Sequence, residues 1–227
     1  MSPSIISFMG PVGVGKSTQI KLLQKRLKSK KVKTVKTFIK SNHIFAHITI
    51  RFLTLVGAYK NPLHQDGLSV IYINKRIVER LYPILILLDA VSITIKFFFT
   101  VYIPFHMGFN VLIEEGLMMS LFTYTLANPK IRGLKPKTPP FLLRLISWIL
   151  KQKHVNIILD AENKELILRR KNRNYRQKES PEYVDLQKKW LKQLNYGNTI
   201  FLETTNLPII QVHEVIVAAI EKYADLA

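Results

Sequence analysis

The stretch that most constrains this chain is Gly10-Pro11-Val12-Gly13-Val14-Gly15-Lys16-Ser17, a G-x-x-x-x-G-K-S pattern followed by Thr18. It follows a short apolar run, Ser4–Met9, and precedes Lys16–Lys28, where Ile20, Leu23 and Leu27 recur on one helical face. The order is strand, glycine loop, helix. Backbone N–H groups in a loop with so few side chains can wrap closely around an anion, and the helix N-terminus adds donors and a favourable dipole. Such a loop binds the phosphates of a nucleotide. Gly10, Pro11, Val12, Gly13, Val14, Gly15, Lys16, Ser17 and Thr18 are therefore expected to form the cradle, with Lys16 reaching the β- and γ-phosphates and the Ser17 hydroxyl taking a Mg²⁺ coordination position. The cofactors implied are ATP and Mg²⁺.

Four further runs have the character of buried strands: Val32–Ile39, Val111–Glu114, Val155–Asp160 and Thr199–Glu203. Segments with helical periodicity lie between them, including Ile44–Leu55, Ser69–Leu81, the apolar Leu81–Phe105, and a helix opened by Ser180-Pro181-Glu182 with Tyr183, Leu186, Trp190 and Leu194 as its stripe. Asn206 and Pro208 open the last helix. Strands alternating with helices require right-handed crossovers and a parallel sheet covered on both faces. The fold class expected is α/β, a three-layer α/β/α domain with a five-stranded parallel sheet. The 227 residues suit a single domain with two additions: a basic, proline-rich insertion at about 128–140 and a lid-like segment at about 169–180.

Composition narrows the function classes. The absence of cysteine excludes disulfides, thiolate metal sites and cysteine nucleophiles, and fits a reducing, cytoplasmic setting. The N-terminus carries neither a basic leader region nor a small-residue cleavage site. Leu81–Phe105 resembles a membrane span in hydropathy but contains Asp89, Lys96, Pro83 and Pro104, so a buried core helix is expected and no membrane span. Its circumference is more apolar than one buried face requires, which is compatible with a homodimer. Lys and Arg number 34 against 15 Asp and Glu, a net charge of +19, with no acid before Asp66 and none between Glu115 and Asp160. A field of that sign attracts polyphosphates, anionic lipid or nucleic acid alike, and no nucleic-acid-reading motif accompanies it. Zinc-protease and serine-hydrolase motifs are absent as well.

Gly15-Lys16-Ser17-Thr18-Gln19, with Leu22, Leu23 and Leu27, resembles the first helix of thymidylate kinases and their nucleoside-monophosphate kinase relatives among the P-loop NTPases. Val111-Leu112-Ile113-Glu114-Glu115-Gly116, with Ser120 and Tyr124, is similar to that family's third strand, its Asp-Arg-Tyr turn and its Ser…Tyr helix. Leu159-Asp160 with Arg169 beyond it resembles the strand end and helix that lead to the family's lid. The resemblance spans most of the chain and makes it a divergent member. It implies a transferase, moving the γ-phosphoryl of Mg·ATP to a nucleoside monophosphate, dTMP by default, in nucleotide biosynthesis. The alternatives are a kinase for a different small acceptor and an ATP-binding protein associated with nucleic acid.

The resemblance also assigns candidate residues. Lys16, Glu115, Arg173 and Arg176 are the catalytic candidates: Glu115 aligns with the family's aspartate, and the two arginines lie in the non-periodic part of the basic run Arg169, Arg170, Lys171, Arg173, Arg176, Lys178, where a lid would close on the transferring phosphoryl. Glu114 is expected to point away from the site or to support Glu115. Arg51, Asp89 and Tyr124 are candidates for acceptor binding, and Phe38, His43 and Phe45 could line a base pocket, with core packing the alternative for the two phenylalanines. The departures are equally specific: Glu115-Gly116 stands where the family has Asp-Arg, Ala90 follows Asp89 where an arginine is expected, and Ser41-Asn42-His43 replaces the Glu-Pro-Gly after strand two.

Overall fold

The computed structural model describes residues 3–40, 48, 59–60, 71–72, 75–125, 139–173, 181–194 and 198–224. In chain order, β1 (Ile5–Met9) leads through the glycine loop to α1 (Lys16–Ser29) and β2 (Thr34–Ile39), and a two-residue ribbon pairs β3 (Tyr59–Lys60) antiparallel with β4 (Ile71–Tyr72). The long α2 (Lys75–Phe97) passes through a π turn (Phe98–Tyr102) into the short α3 (Ile103–His106). Then come β5 (Asn110–Glu115), α4 (Leu117–Thr125), α5 (Pro140–Lys151), β6 (His154–Asp160), α6 (Asn163–Asn172), α7 (Pro181–Lys192), β7 (Asn198–Glu203) and α8 (Ile209–Ala224). Five strands form a wholly parallel sheet in the order β2-β5-β1-β6-β7. This is the three-layer α/β/α architecture expected from the alternation of strands and helices.

Strand alternation distributes the core between the two faces. Ile6, Phe8, Leu112, Val155, Ile157 and Leu159 point to the side covered by α1 and α8, where Ile20, Leu23, Leu27, Val212, Ile216 and Ile220 meet them. Ile5, Val111 and Ile113 point to the other side, beneath α2 and α5. All five residues of β1 are buried, as the middle strand of a sheet covered on both faces must be. At about 2 kcal/mol for each fully buried large aliphatic side chain, these two layers supply the main driving force for folding.

Two expectations are corrected. Ile71–Tyr72 falls inside the helix read over Ser69–Leu81 but is extended and paired with Tyr59–Lys60, and the helix begins at Lys75. β-branched and aromatic residues outweigh a short helical period there. The apolar helix expected to be buried is buried along one stripe only: Ile86, Ala90, Ile93, Phe97 and Val101 face the sheet, while Ile84, Leu87, Ile95, Phe98 and Phe99 are exposed. Hydropathy reports composition and carries no information on which side the sheet covers. By length and composition, Ile86–His106 is long and apolar enough to cross a membrane, with a mean hydropathy of 1.8, and 39% of its most apolar window is buried within the fold. Pro104 has no N–H to return to the preceding turn, and the helix widens into its π turn just before that residue.

Candidate active site

β1 has β5 on one side and β6 on the other; the crossover that leaves β1 runs past β5 to β2, whereas the one that leaves β5 runs past β1 to β6, so adjacent strands send the chain in opposite directions. That reversal opens a crevice at the carboxyl ends of the strands, the place where ligands of open α/β sheets bind. The glycine loop emerges from β1 at this point, and β5 ends beside it, with Glu114 in register with Phe8.

The loop packs tightly against the sheet. Gly10 has φ +142°, and a Cβ built there would lie 2.2 Å from the Leu159 carbonyl oxygen of β6. Only glycine fits. α1 starts at Lys16, and since a helix leaves its first-turn amides without helical acceptors, its N-terminus faces the crevice as an anion-binding end. The Lys16 side chain is buried and folded back over the loop: Nζ donates to the carbonyl oxygens of Gly10 at 2.6 Å and Pro11 at 3.0 Å and forms an ion pair with Glu115 Oε1 at 2.9 Å.

Two carboxylates converge on this loop. Strict strand alternation would send Glu114 and Glu115 to opposite faces, and Glu114 does share the face of Leu112, toward α1. There the Ser17 hydroxyl donates to Glu114 Oε1, and Lys36 of β2 lies 3.1 Å from Oε2. Glu115 ends the strand in the left-handed region at φ +76°, and its carboxylate meets Lys16. Both acids therefore address the loop, Glu114 through Ser17 and Glu115 through Lys16. A hydroxyl and a carboxylate, Ser17 and Glu114, form an all-oxygen pair that suits a hard divalent cation. A Cβ built at Gly116, also left-handed at φ +79°, would make only ordinary contacts, 3.8 Å from Ile113 Cγ2 and 3.9 Å from the Ser7 hydroxyl. Backbone conformation, more than crowding, disfavours a longer side chain where the resembled family has arginine.

The arginines divide by role. Arg169 is held by structure: Nε bonds Glu165 Oε1 at 2.7 Å and Nη2 bonds the Thr204 carbonyl at 2.8 Å, tying α6 to the turn after β7. Arg170 lays its stem against the glycine loop, 3.1 Å from a Cβ built at Gly13. Arg173 is exposed at the end of α6, with Nη2 3.4 Å from the Thr18 hydroxyl at the start of α1. Asp89 and Tyr124 are brought together, the Tyr124 hydroxyl donating to Asp89 Oδ2 at 2.6 Å, and both are buried between α2 and α4. Phe38 is not core: it is 41% exposed, with the Lys96 ammonium 5.7 Å from its ring centroid. Arg51, Arg176, His43, Phe45, lid residues 174–180 and insertion residues 128–138 lie outside the described residues.

Sequence reasoning underweighted Glu114, Lys36 and Arg170. Alternation along β5 was a usable signal for Glu114, since it shares a face with Leu112. No local signal marks Lys36, whose role depends on β2 lying next to β5 in the sheet.

No protein-family model matches this sequence, and no curated protein matches it. Solved structures do match. The thymidylate kinase of Candida albicans, noted for broad substrate specificity, aligns with a TM-score of 0.60 at 15% identity over 100% of this chain and 94% of its own. The thymidylate kinase of Ehrlichia chaffeensis aligns with a TM-score of 0.51 at 15% identity over 98% of this chain and 100% of its own. The chain has the thymidylate-kinase fold.

Proposed function

We propose that the chain is an ATP-dependent phosphotransferase of the nucleoside-monophosphate kinase type, with a monophosphate such as dTMP as the first acceptor to test. The observation that carries this reading is the convergence of Lys16, Ser17 and Glu114 on one glycine loop at the carboxyl edge of the sheet. In this reading Lys16 contacts the β- and γ-phosphates, while Ser17 and Glu114 hold Mg²⁺ directly or through water. The metal supplies charge neutralisation on the triphosphate oxygens. Arg173 and Arg176 approach from the lid and exclude water, and Tyr124 with Asp89 braces the acceptor side between α2 and α4. Transfer of this kind depends on positioning and electrostatics more than on covalent chemistry. A cytoplasmic enzyme is the corresponding setting.

The end of β5 favours a second reading. Glu115-Gly116 offers a carboxylate and no guanidinium where the resembled family has Asp-Arg, so an acceptor hydroxyl, whose proton Glu115 could take, competes with an acceptor phosphate. An ADP-release assay with ATP, Mg²⁺ and a panel of nucleoside monophosphates, nucleosides and oligonucleotides separates the readings, with Lys16→Ala as the control. Turnover with a monophosphate, reduced at least 100-fold in Lys16→Ala, is the expected outcome. Turnover that survives in Lys16→Ala would refute the site, and turnover with nucleosides alone would establish the hydroxyl acceptor.

A further inference from the structure

Lys16 is fully engaged by the protein's own groups. An ammonium has three N–H donors, and those of Lys16 meet three acceptors: the Gly10 carbonyl, the Pro11 carbonyl and the Glu115 carboxylate. Only the last carries charge, and the lysine is 6% exposed, so Glu115 is what makes a buried cation tolerable there. Glu114 is not available for this role, being held by Ser17 and Lys36.

A phosphate group reaching Lys16 asks for the same donor that Glu115 holds. The ammonium cannot add a fourth partner, and an incoming phosphate would also stand beside an uncompensated carboxylate, so one anion must leave. Backbone geometry at Glu115 is suited to yielding: a non-glycine residue at φ +76° is held about 1–2 kcal/mol above its relaxed conformation, and Gly116 next to it has no side chain to restrict its backbone angles. We propose that Glu115 is an internal competitor of the phosphates, a carboxylate that occupies the Lys16 ammonium and sets the nucleotide affinity of the loop by having to be displaced. This rests on the reading of the loop as a nucleotide site. It assigns to Glu115 a regulatory part in binding that is separate from any part in proton transfer.

Calorimetric titration tests it, with ADP, inorganic pyrophosphate and adenosine as ligands in the presence of Mg²⁺. Glu115→Gln keeps an acceptor oxygen for Lys16 and removes the charge, so ADP and pyrophosphate should bind about tenfold more tightly than to the wild type, the size of one charge-assisted contact. Adenosine, which brings no phosphate, should bind equally to both. In a Lys16→Met background the gain from Glu115→Gln should vanish. Glu115→Asp, with a retracted carboxylate, should show a smaller gain and carries the test if the glutamine variant does not fold. Unchanged or weaker binding of ADP by folded Glu115 variants would overturn the competitor role while leaving the loop assignment standing. If folded wild type and variants bind neither ADP nor pyrophosphate, the nucleotide site itself is wrong and the competitor falls with it.

Discussion

His154 opens β6 next to Ser7 of β1, its Nε2 3.1 Å from the Ser7 hydroxyl, and burial pushes its pKa down from 6.5 to about 4. The unfolded chain takes up a proton on this ring as the pH falls through about 6.5, whereas the folded chain does not until about pH 4. The contribution is therefore fully present above pH 6.5 and lost progressively as the pH falls to about 4. At about 1.4 kcal/mol per pH step between those values, the loss reaches about 3 kcal/mol. Urea titrations at pH 7, 5.5 and 4.5 check this against His154→Gln, which should flatten the profile across that window. A variant that loses stability as steeply as the wild type would remove His154 as the cause. The same residue scale separates what the motif predicts from what packing adds. Lys16 and Ser17 stand where the glycine pattern puts them, but their partners come from the end of β5: Glu114 reaches Ser17 by ordinary strand alternation, and Glu115 reaches Lys16 from a left-handed backbone.

At the scale of elements, the crossing from β1 into the loop is the tightest approach made by any glycine among the described residues. Gly10 lies against the β6 carbonyl at Leu159, with 2.2 Å left for a Cβ and a φ of +142° that L side chains avoid. Gly10→Ala must push β1 and β6 apart or move the loop, and is expected to cost about 3 kcal/mol and to lower nucleotide affinity together. Chemical denaturation and calorimetry on the same sample check both. Stability within about 0.5 kcal/mol of wild type would contradict the close approach. Elements with a strong period or a single role were legible in advance: the strands agree with expectation to within a residue or two, and α1 to within one residue at its end. The β3–β4 ribbon and the exposure of one side of α2 were not, because each depends on which neighbour the chain folds against.

Taken whole, the molecule carries +19 with 15 carboxylates, several of which are already committed to specific cations. The exposed ion pairs of Arg26 and Lys30 with Glu214 and Glu221 are too few and too solvated to offset that excess. Self-repulsion should then dominate the salt response: raising NaCl from about 0.05 to about 0.5 M is expected to raise Tm by about 5 °C, since screening weakens long-range repulsion first. A fall in Tm would mean that ion pairs outweigh the net charge. Sequence alone determined the α/β layering and the position of the phosphate loop, because hydrophobic period and glycine spacing are local and survive without knowledge of partners. It also located the place where the chain departs from the family it resembles, at Glu115-Gly116. Only the tertiary structure decided what those residues face. Sheet order sets β5 beside β1 and Lys36 within reach of Glu114, and the left-handed turn at Glu115 brings its carboxylate onto Lys16. Such contacts join residues far apart in the chain, Lys36 with Glu114 and Lys16 with Glu115, and no local pattern encodes them.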